Sequence, residues 1–181
     1  FKANEKGRLE GVVGEDKVSL VIDDTLGTEV VTGSAYDDAI GDGKHTANVR
    51  DDVYAGSIKV TGYELTGDDA SNYTLENSAV GGIRVTKADL TININGATTT
   101  YGTALDMTTH GYTLDGVVNN DDEEALKSDI DLAKGSYVTT AAYTGKAGTH
   151  NNVLGFEKAE DVKELDVLNN YEVTIVNGTV V

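Results

Sequence analysis

Short apolar runs alternate with polar turns along most of the chain. The clearest pattern covers residues 88–95, where Leu90, Ile92 and Ile94 alternate with polar neighbours, and it predicts a half-buried strand. Residues 57–65 alternate in the same way, and Gly62 within them predicts a β-bulge. Further strands are expected at 28–36 and 171–176, so the hydrophobic pattern favours a β protein.

Turn and helix signals are fewer. Asn95-Gly96 directly after the clearest strand predicts a hairpin turn, because both residue types tolerate positive φ. Residues 119–132 predict a short helix, since the acids at 121–124 would lie in its first turn and favour the helix dipole. A second helical spacing at 156–168 is less regular and follows residues that predict a strand.

Together these patterns predict a mostly β fold of two small antiparallel modules, each a sandwich or a β-grasp-like sheet, with at most a short helix in the second module. The predicted modules are residues 1–86 and 87–181. Residues 85–90 between them contain neither Gly nor Pro, which favours a joint of restricted angle.

Composition narrows the classes of partner. A net charge of −17 excludes a basic surface for nucleic acid and opposes binding to an anionic membrane. No apolar segment is long enough to span a bilayer, so membrane insertion is not expected. The absence of cysteine excludes disulfides and thiolate metal sites. The sequence predicts a soluble, monomeric fragment of a longer protein.

One acidic loop is a candidate metal site. Asp37, Asp38 and Asp42 lie between glycines, and clustered carboxylate oxygens are the ligands that calcium prefers. Their spacing is not that of an EF-hand, and a solvated acidic loop is the alternative interpretation. No other cofactor is expected.

Catalytic patterns are absent from the sequence. The three histidines, His45, His110 and His150, are widely separated and share no metal-ligand spacing. No nucleophile elbow or glycine-rich phosphate loop occurs. The sequence therefore predicts a protein that is not an enzyme.

An internal similarity predicts two related units. Asn72-Tyr73 and Asn170-Tyr171 each begin a predicted strand, and a glycine-initiated strand follows each, at Gly82 and at Gly178. Similarity at a fixed period is the mark of a repeat array, in which function resides in the array rather than in one pocket.

Four stretches resemble two known repeat families. Residues 65–75, Leu-Thr-Gly-Asp-Asp-Ala-Ser-Asn-Tyr-Thr-Leu, together with residues 9–20, resemble the YDG repeat. Residues 83–102 and 171–180 resemble an MBG repeat of the Tyr-Gly type. The residues that carry these signatures are Gly67, Asp68, Ala70, Asn72, Tyr73, Tyr101, Gly102, Asn170, Tyr171 and Gly178.

The resemblance implies tandem repeats that form the stalk of a large secreted or surface-attached bacterial adhesin, with neighbouring repeats of the same chain as partners. Two departures are visible: the Tyr-Asp-Gly that names the first family is missing near the N-terminus, and residues 121–169 are longer and more acidic than the MBG pattern. The alternative function uses that longer region to bind a host glycan or protein, with calcium as a candidate cofactor.

Overall fold

The computed structural model describes residues 9–40, 44–76, 81–108 and 110–181, without the side chains of residues 22–26. Two compact units divide the chain. The first comprises Phe1–Gly41, of which residues 9–40 are described, and Arg50–Arg84. The second comprises Asp42–Val49, of which residues 44–49 are described, and Val85–Val181. Residues 44–49 therefore belong to the second unit although they precede most of the first unit's sheet in sequence.

The first unit is a three-stranded antiparallel sheet. Strands β1 (Ser19–Val30), β2 (Tyr54–Thr66) and β3 (Gly81–Ile83) lie in that order, and β2 pairs with both neighbours. Helix α1 (Ala35–Ala39) lies between β1 and β2 in sequence. The register of β1 and β2 shifts between Ile22 and Gly27, and β1 continues through this irregularity as one strand.

The core of the first unit is small. Tyr36 of α1 meets Tyr54 of β2 edge to face, with ring centroids 5.4 Å apart, and Val60 and Ser57 are the other buried residues of β2. The sequence prediction of a strand over residues 28–36 is wrong after Val30, where β1 ends. Ser34 then starts α1 as its N-cap by accepting a hydrogen bond from the Asp37 N–H, so these residues turn into a helix.

The second unit contains two three-stranded sheets. In the first, β4 (Ala88–Ile94) lies between β5 (Tyr112–Asp115), which is antiparallel to it, and β8 (Tyr171–Val176), which is parallel to it. The second sheet has the order β6 (Tyr137–Thr139), β7 (His150–Phe156), β9 (Gly178–Val180) and is antiparallel. Helices α2 (Glu123–Ala133) and α3 (Ala159–Lys163) complete the unit.

One continuous core fills the second unit. Leu90, Ile92 and Ile94 are buried along β4, as their alternation predicts, and they belong to the same cluster as residues from both sheets and the helices. The buried members from those other elements are Leu126, Ile130, Tyr137, Val153, Leu154, Phe156, Val162, Leu168, Tyr171 and Val180. Burial of this apolar surface is the main stabilising contribution to the unit.

The mostly β fold class is confirmed, and five of the six strand pairs among the described residues are antiparallel. Two details differ from the sequence prediction. The second unit has two α-helices rather than one, and a further short helix lies in the first unit. The hairpin predicted at Asn95-Gly96 is wrong: β4 pairs with no strand that directly follows these residues, and neither residue has a positive φ.

Candidate functional site

The two tyrosines that follow asparagine occupy the same structural motif in the two units. In the first unit, Tyr73 donates a hydrogen bond from its hydroxyl to the Asp16 carboxylate (2.6 Å) and accepts one from the Val13 N–H (2.9 Å). In the second, Tyr171 donates to the Asp121 carboxylate (2.6 Å) and accepts from the Val118 N–H (3.2 Å). We call this arrangement the tyrosine–turn motif.

Each tyrosine holds a four-residue turn of the form Val-x-x-Asp. The N–H of Asp16 donates to the carbonyl of Val13 at 3.2 Å, and the N–H of Asp121 donates to the carbonyl of Val118 at 3.1 Å. Positive φ angles occur in both turns, at Gly14 in one and at Asn119 and Asn120 in the other. The tyrosine that fixes each turn lies at least 50 positions after it, since the hydrogen-bonded Tyr–Asp pairs are separated by 57 and 50 positions.

Sequence reasoning missed this motif, although its signal is present in the chain. Gly11-Val12-Val13-Gly14-Glu15-Asp16 and Gly116-Val117-Val118-Asn119-Asn120-Asp121 share the pattern Gly-Val-Val-x-x-Asp. Both first glycines have a positive φ, 89° at Gly11 and 102° at Gly116, which favours glycine over other residues. The similarity of the two units therefore includes a turn as well as the Asn-Tyr pair.

Burial distinguishes the two copies. Tyr171 is 2% exposed, and burial followed by the hydrogen bond to Asp121 raises its pKa to about 12. Tyr73 is partly exposed, and the hydrogen bond to Asp16 is the main cause that raises its pKa. Tyr171 contributes a core ring whose hydroxyl reaches the surface turn, whereas Tyr73 stabilises its turn without comparable burial.

Residues 44–49 contact the rest of the second unit beside its tyrosine–turn motif. The Asn119 side chain accepts hydrogen bonds from the His45 and Thr46 N–H groups, and Lys44 forms an ion pair with Asp121. Asn170, one of the signature residues, accepts a hydrogen bond from the Val49 N–H at 2.8 Å. The signature asparagine therefore attaches a segment that is distant in sequence.

The remaining signature residues of the first unit also bind a turn. Gly67 has a φ of 122°, and a Cβ there would lie 2.1 Å from the Lys17 carbonyl oxygen. Asp68 forms an exposed ion pair with Lys17 at 3.3 Å. Ala70 and Asn72 begin and end a 3₁₀ turn. Gly67 and Asp68 therefore lie close to Lys17, although an exposed ion pair of this kind adds little stability.

Two of the three predicted calcium ligands, Asp37 and Asp38, lie in a helix. Asp37 accepts a hydrogen bond from the Gly33 N–H at 2.8 Å, and Asp37 and Asp38 lie in the first turn of α1. Asp42 lies outside the described residues. In the part of the chain that the structure describes, no three His, Cys, Asp or Glu residues are grouped as metal ligands. The calcium site stays a prediction.

Tyr101 and Gly102, the last pair of signature residues, border a cleft of about 130 Å³ in the second unit. One wall is the turn at residues 99–103, which is closed by a hydrogen bond from the Thr103 N–H to the Thr100 carbonyl at 2.8 Å. The opposite wall is the loop at residues 143–150, and the last residues of the chain also line the cleft.

Two interactions hold the loop wall in place. The His150 ring donates through Nε2 to the Lys146 carbonyl at 2.7 Å, and the same ring packs edge to face on Tyr143 at 5.1 Å.

Gly178, the last signature residue, lies outside the cleft. Packing requires glycine there, because a Cβ would lie 2.5 Å from the Asn95 carbonyl oxygen.

No family model, curated protein or solved structure matches the chain. The resemblance to YDG and MBG repeats therefore stays a prediction. Among the described residues, no helix has both the length and the apolar character needed to cross a membrane.

Proposed function

We propose that the chain forms two related repeats in the stalk of a secreted or surface-attached bacterial adhesin and holds a distal binding region away from the cell. The observation that carries this proposal is the recurrence of the tyrosine–turn motif, with the same donors, acceptors and turn in both units. A motif that recurs once per unit is expected of a repeat array, in which each copy has a mechanical rather than a chemical role.

The path of the chain through the first unit supports a spacer role. Strand β1 begins opposite Thr66, at one end of β2, whereas β3 ends opposite Tyr54, at the other end of β2. Because a strand rises about 3.3 Å per residue, these two points are separated by roughly 35–40 Å. The sheet therefore carries the chain from one of its ends to the other.

The second unit shows the same property through a different pairing. Its first strand, β4, and its late strand β8 are parallel neighbours, with Ala88 opposite Tyr171 and Asn93 opposite Val176. The chain therefore enters β4 at one end of this sheet and leaves β8 at the other end. Tension applied between the two ends would load the hydrogen bonds of β4 and β8 in shear, so that several bonds must break together.

The charge of the chain is compatible with this role. A net charge of −17 opposes association between copies and keeps an extended protein soluble. The proposed setting is extracellular, with neighbouring repeats of the same chain as the direct partners.

Small-angle scattering of one copy and of two copies fused in tandem tests the proposal. For a stalk, the maximum dimension should nearly double on fusion, because each copy adds a constant length. For a compact assembly, the dimensions would increase by only about 30% on fusion, since the radius of gyration scales roughly as the 0.38 power of chain length. An increase of that smaller size would contradict the stalk function.

A further inference from the structure

The cleft beside Tyr101 differs in charge from the rest of this acidic chain. None of the described residues that line it is Asp or Glu, although the chain has 31 such residues. Three other cavities each have a carboxylate in their lining, from Glu10 in one, Asp129 in another and Asp121 in the third. An acid-free cleft therefore repels an anionic group less than these three carboxylate-lined cavities do.

A cation is available in the cleft. Lys146 lines it and forms no ion pair with any residue that the structure describes. The neighbouring His150 ring donates to the carbonyl of Lys146 itself, which fixes the backbone of the loop that carries the ammonium group. At physiological ionic strength, charges more than about 8 Å apart are largely screened. An anion in the cleft therefore interacts more strongly with Lys146 than with distant carboxylates of the chain.

An aromatic surface lies at the rim. Tyr101 is 84% exposed, and no other described tyrosine or phenylalanine is among the exposed large apolar residues of the chain. Its turn is closed by the Thr100–Thr103 hydrogen bond, so the ring is displayed by an ordered segment. Exposed aromatic rings bind ligands that present an apolar face and a polar edge. A pyranose ring is such a ligand, because its faces carry C–H groups and its edge carries hydroxyl groups.

We propose that this cleft binds a carboxylate-bearing sugar, such as a uronic or sialic acid residue of a glycan, with the ring stacked on Tyr101 and the carboxylate paired with Lys146. The hydroxyl groups of Thr100 and Thr103 and the backbone of Gly102 supply hydrogen-bonding partners for the sugar hydroxyls. The Thr99 hydroxyl donates to the Thr103 carbonyl and can still accept a hydrogen bond. The inference is independent of the stalk function, since a spacer can carry a weak glycan site.

Titration of the ¹⁵N-labelled full chain with methyl β-glucuronide, with methyl β-glucoside as the neutral match, tests the site by NMR. Each chain in the test carries a short Gly-Ser extension, so that no terminal carboxylate lies at Val181, which also lines the cleft. Saturable shifts are expected at the amides of Tyr101, Gly102, Gly145 and Gly148, with a dissociation constant on the order of 1 mM for the acid. The neutral sugar should bind about three- to tenfold more weakly.

Three variants separate the contributions. Lys146→Gln should remove the preference for the acid and leave binding of the neutral sugar unchanged, whereas Tyr101→Ala should weaken both and Tyr101→Phe should retain both. Lys158→Gln is the matched control, because Lys158 is an exposed lysine of the same unit that does not line the cleft. The proposal is overturned if the shifts are not confined to the cleft, if the two sugars bind equally, or if Lys158→Gln weakens binding as much as Lys146→Gln.

Discussion

At the scale of single residues, the tyrosine–turn motif connects chemistry to stability. The Tyr171 hydroxyl satisfies both the Asp121 carboxylate and the backbone of Val118, and its ring is part of the second core. Tyr73 makes the equivalent bonds from a partly exposed position. The two positions form a natural pair for comparison, because one substitution can be made in both.

Tyr171→Phe should destabilise the second unit by about 1–3 kcal/mol, because it leaves polar groups of the turn without their partner. Tyr73→Phe, the matched control, should cost less than about 1 kcal/mol in the first unit, since water can replace the exposed hydroxyl. Chemical denaturation followed by NMR signals from each unit measures both values. Equal losses of unfolding free energy at the two positions would show that burial does not affect how much the tyrosine hydroxyl stabilises its unit.

The raised pKa of Tyr171 predicts that the stability of the second unit falls at alkaline pH. That pKa is raised from 10 to about 12, so the folded state retains the phenol proton more tightly than the unfolded state does. The resulting stability is fully present below pH 10 and is lost as the pH rises from 10 towards 12. Burial also raises the pKa values of Tyr112 and Tyr137, so Tyr171→Phe should make the fall in stability shallower without abolishing it. A fall of unchanged steepness in the variant would contradict this assignment.

Two glycines of the second unit distinguish the two reasons why a position requires glycine, a steric clash with a neighbour and a positive φ. Gly116 has a φ of 102°, and a Cβ there would lie 2.3 Å from the Asp89 carbonyl oxygen, whereas Gly102 has a φ of 87° and open space around it. Gly102→Ala should therefore cost about 1 kcal/mol from conformation alone. Gly116→Ala should cost at least about 2 kcal/mol more, because the strand β4 must move. Comparable melting temperatures for the two variants would refute the close approach.

At the scale of elements, local signals predicted individual strands and helices but not their partners. The alternation of Leu90, Ile92 and Ile94 identified β4 and its buried face, because that information lies within seven residues. The first-turn acids identified α2, which begins after the Asp122 N-cap. The parallel pairing of β4 with β8 was not predicted, because residues in two distant segments determine it and neither segment alone encodes the partner.

Two local errors have physical reasons. Gly96 is not a turn residue: a Cβ there would lie 2.8 Å from the Thr179 carbonyl oxygen, so glycine permits close approach of another segment. Residues 34–37 contain a Ser-x-x-Asp capping pattern, and this signal outweighed the strand pattern that precedes it. The cleft could not be found from the sequence either, because its walls come from turns about 40 residues apart that carry no local signature.

At the scale of the whole molecule, the second unit includes a segment that lies far from it in sequence. Residues 44–49 supply hydrogen bonds to Asn119 and Asn170 and an ion pair to Asp121. A boundary between residues 86 and 87, which the sequence predicts, would separate this segment from the unit it contacts. The unit is therefore not contiguous along the chain.

Residues 85–181 expressed alone should be less stable than the second unit of the full chain by on the order of 2–4 kcal/mol, because several hydrogen bonds are lost. For a unit of this size, that difference lowers the melting temperature by roughly 10 °C or more. The full chain with Asn119→Gly and Asn170→Ala should reproduce most of the decrease, and glycine retains the positive φ of Asn119. If the isolated segment melts as high as the unit in the full chain, residues 44–49 are dispensable.

The parallel pair of β4 and β8 also determines when the second unit can fold. Its central strand forms near residue 90, yet the partner that closes the sheet begins only at Tyr171. Closing so long a loop is slow, because the chain must lose conformational entropy before this distant pairing can form. The unit therefore remains open until nearly its whole sequence has been synthesised.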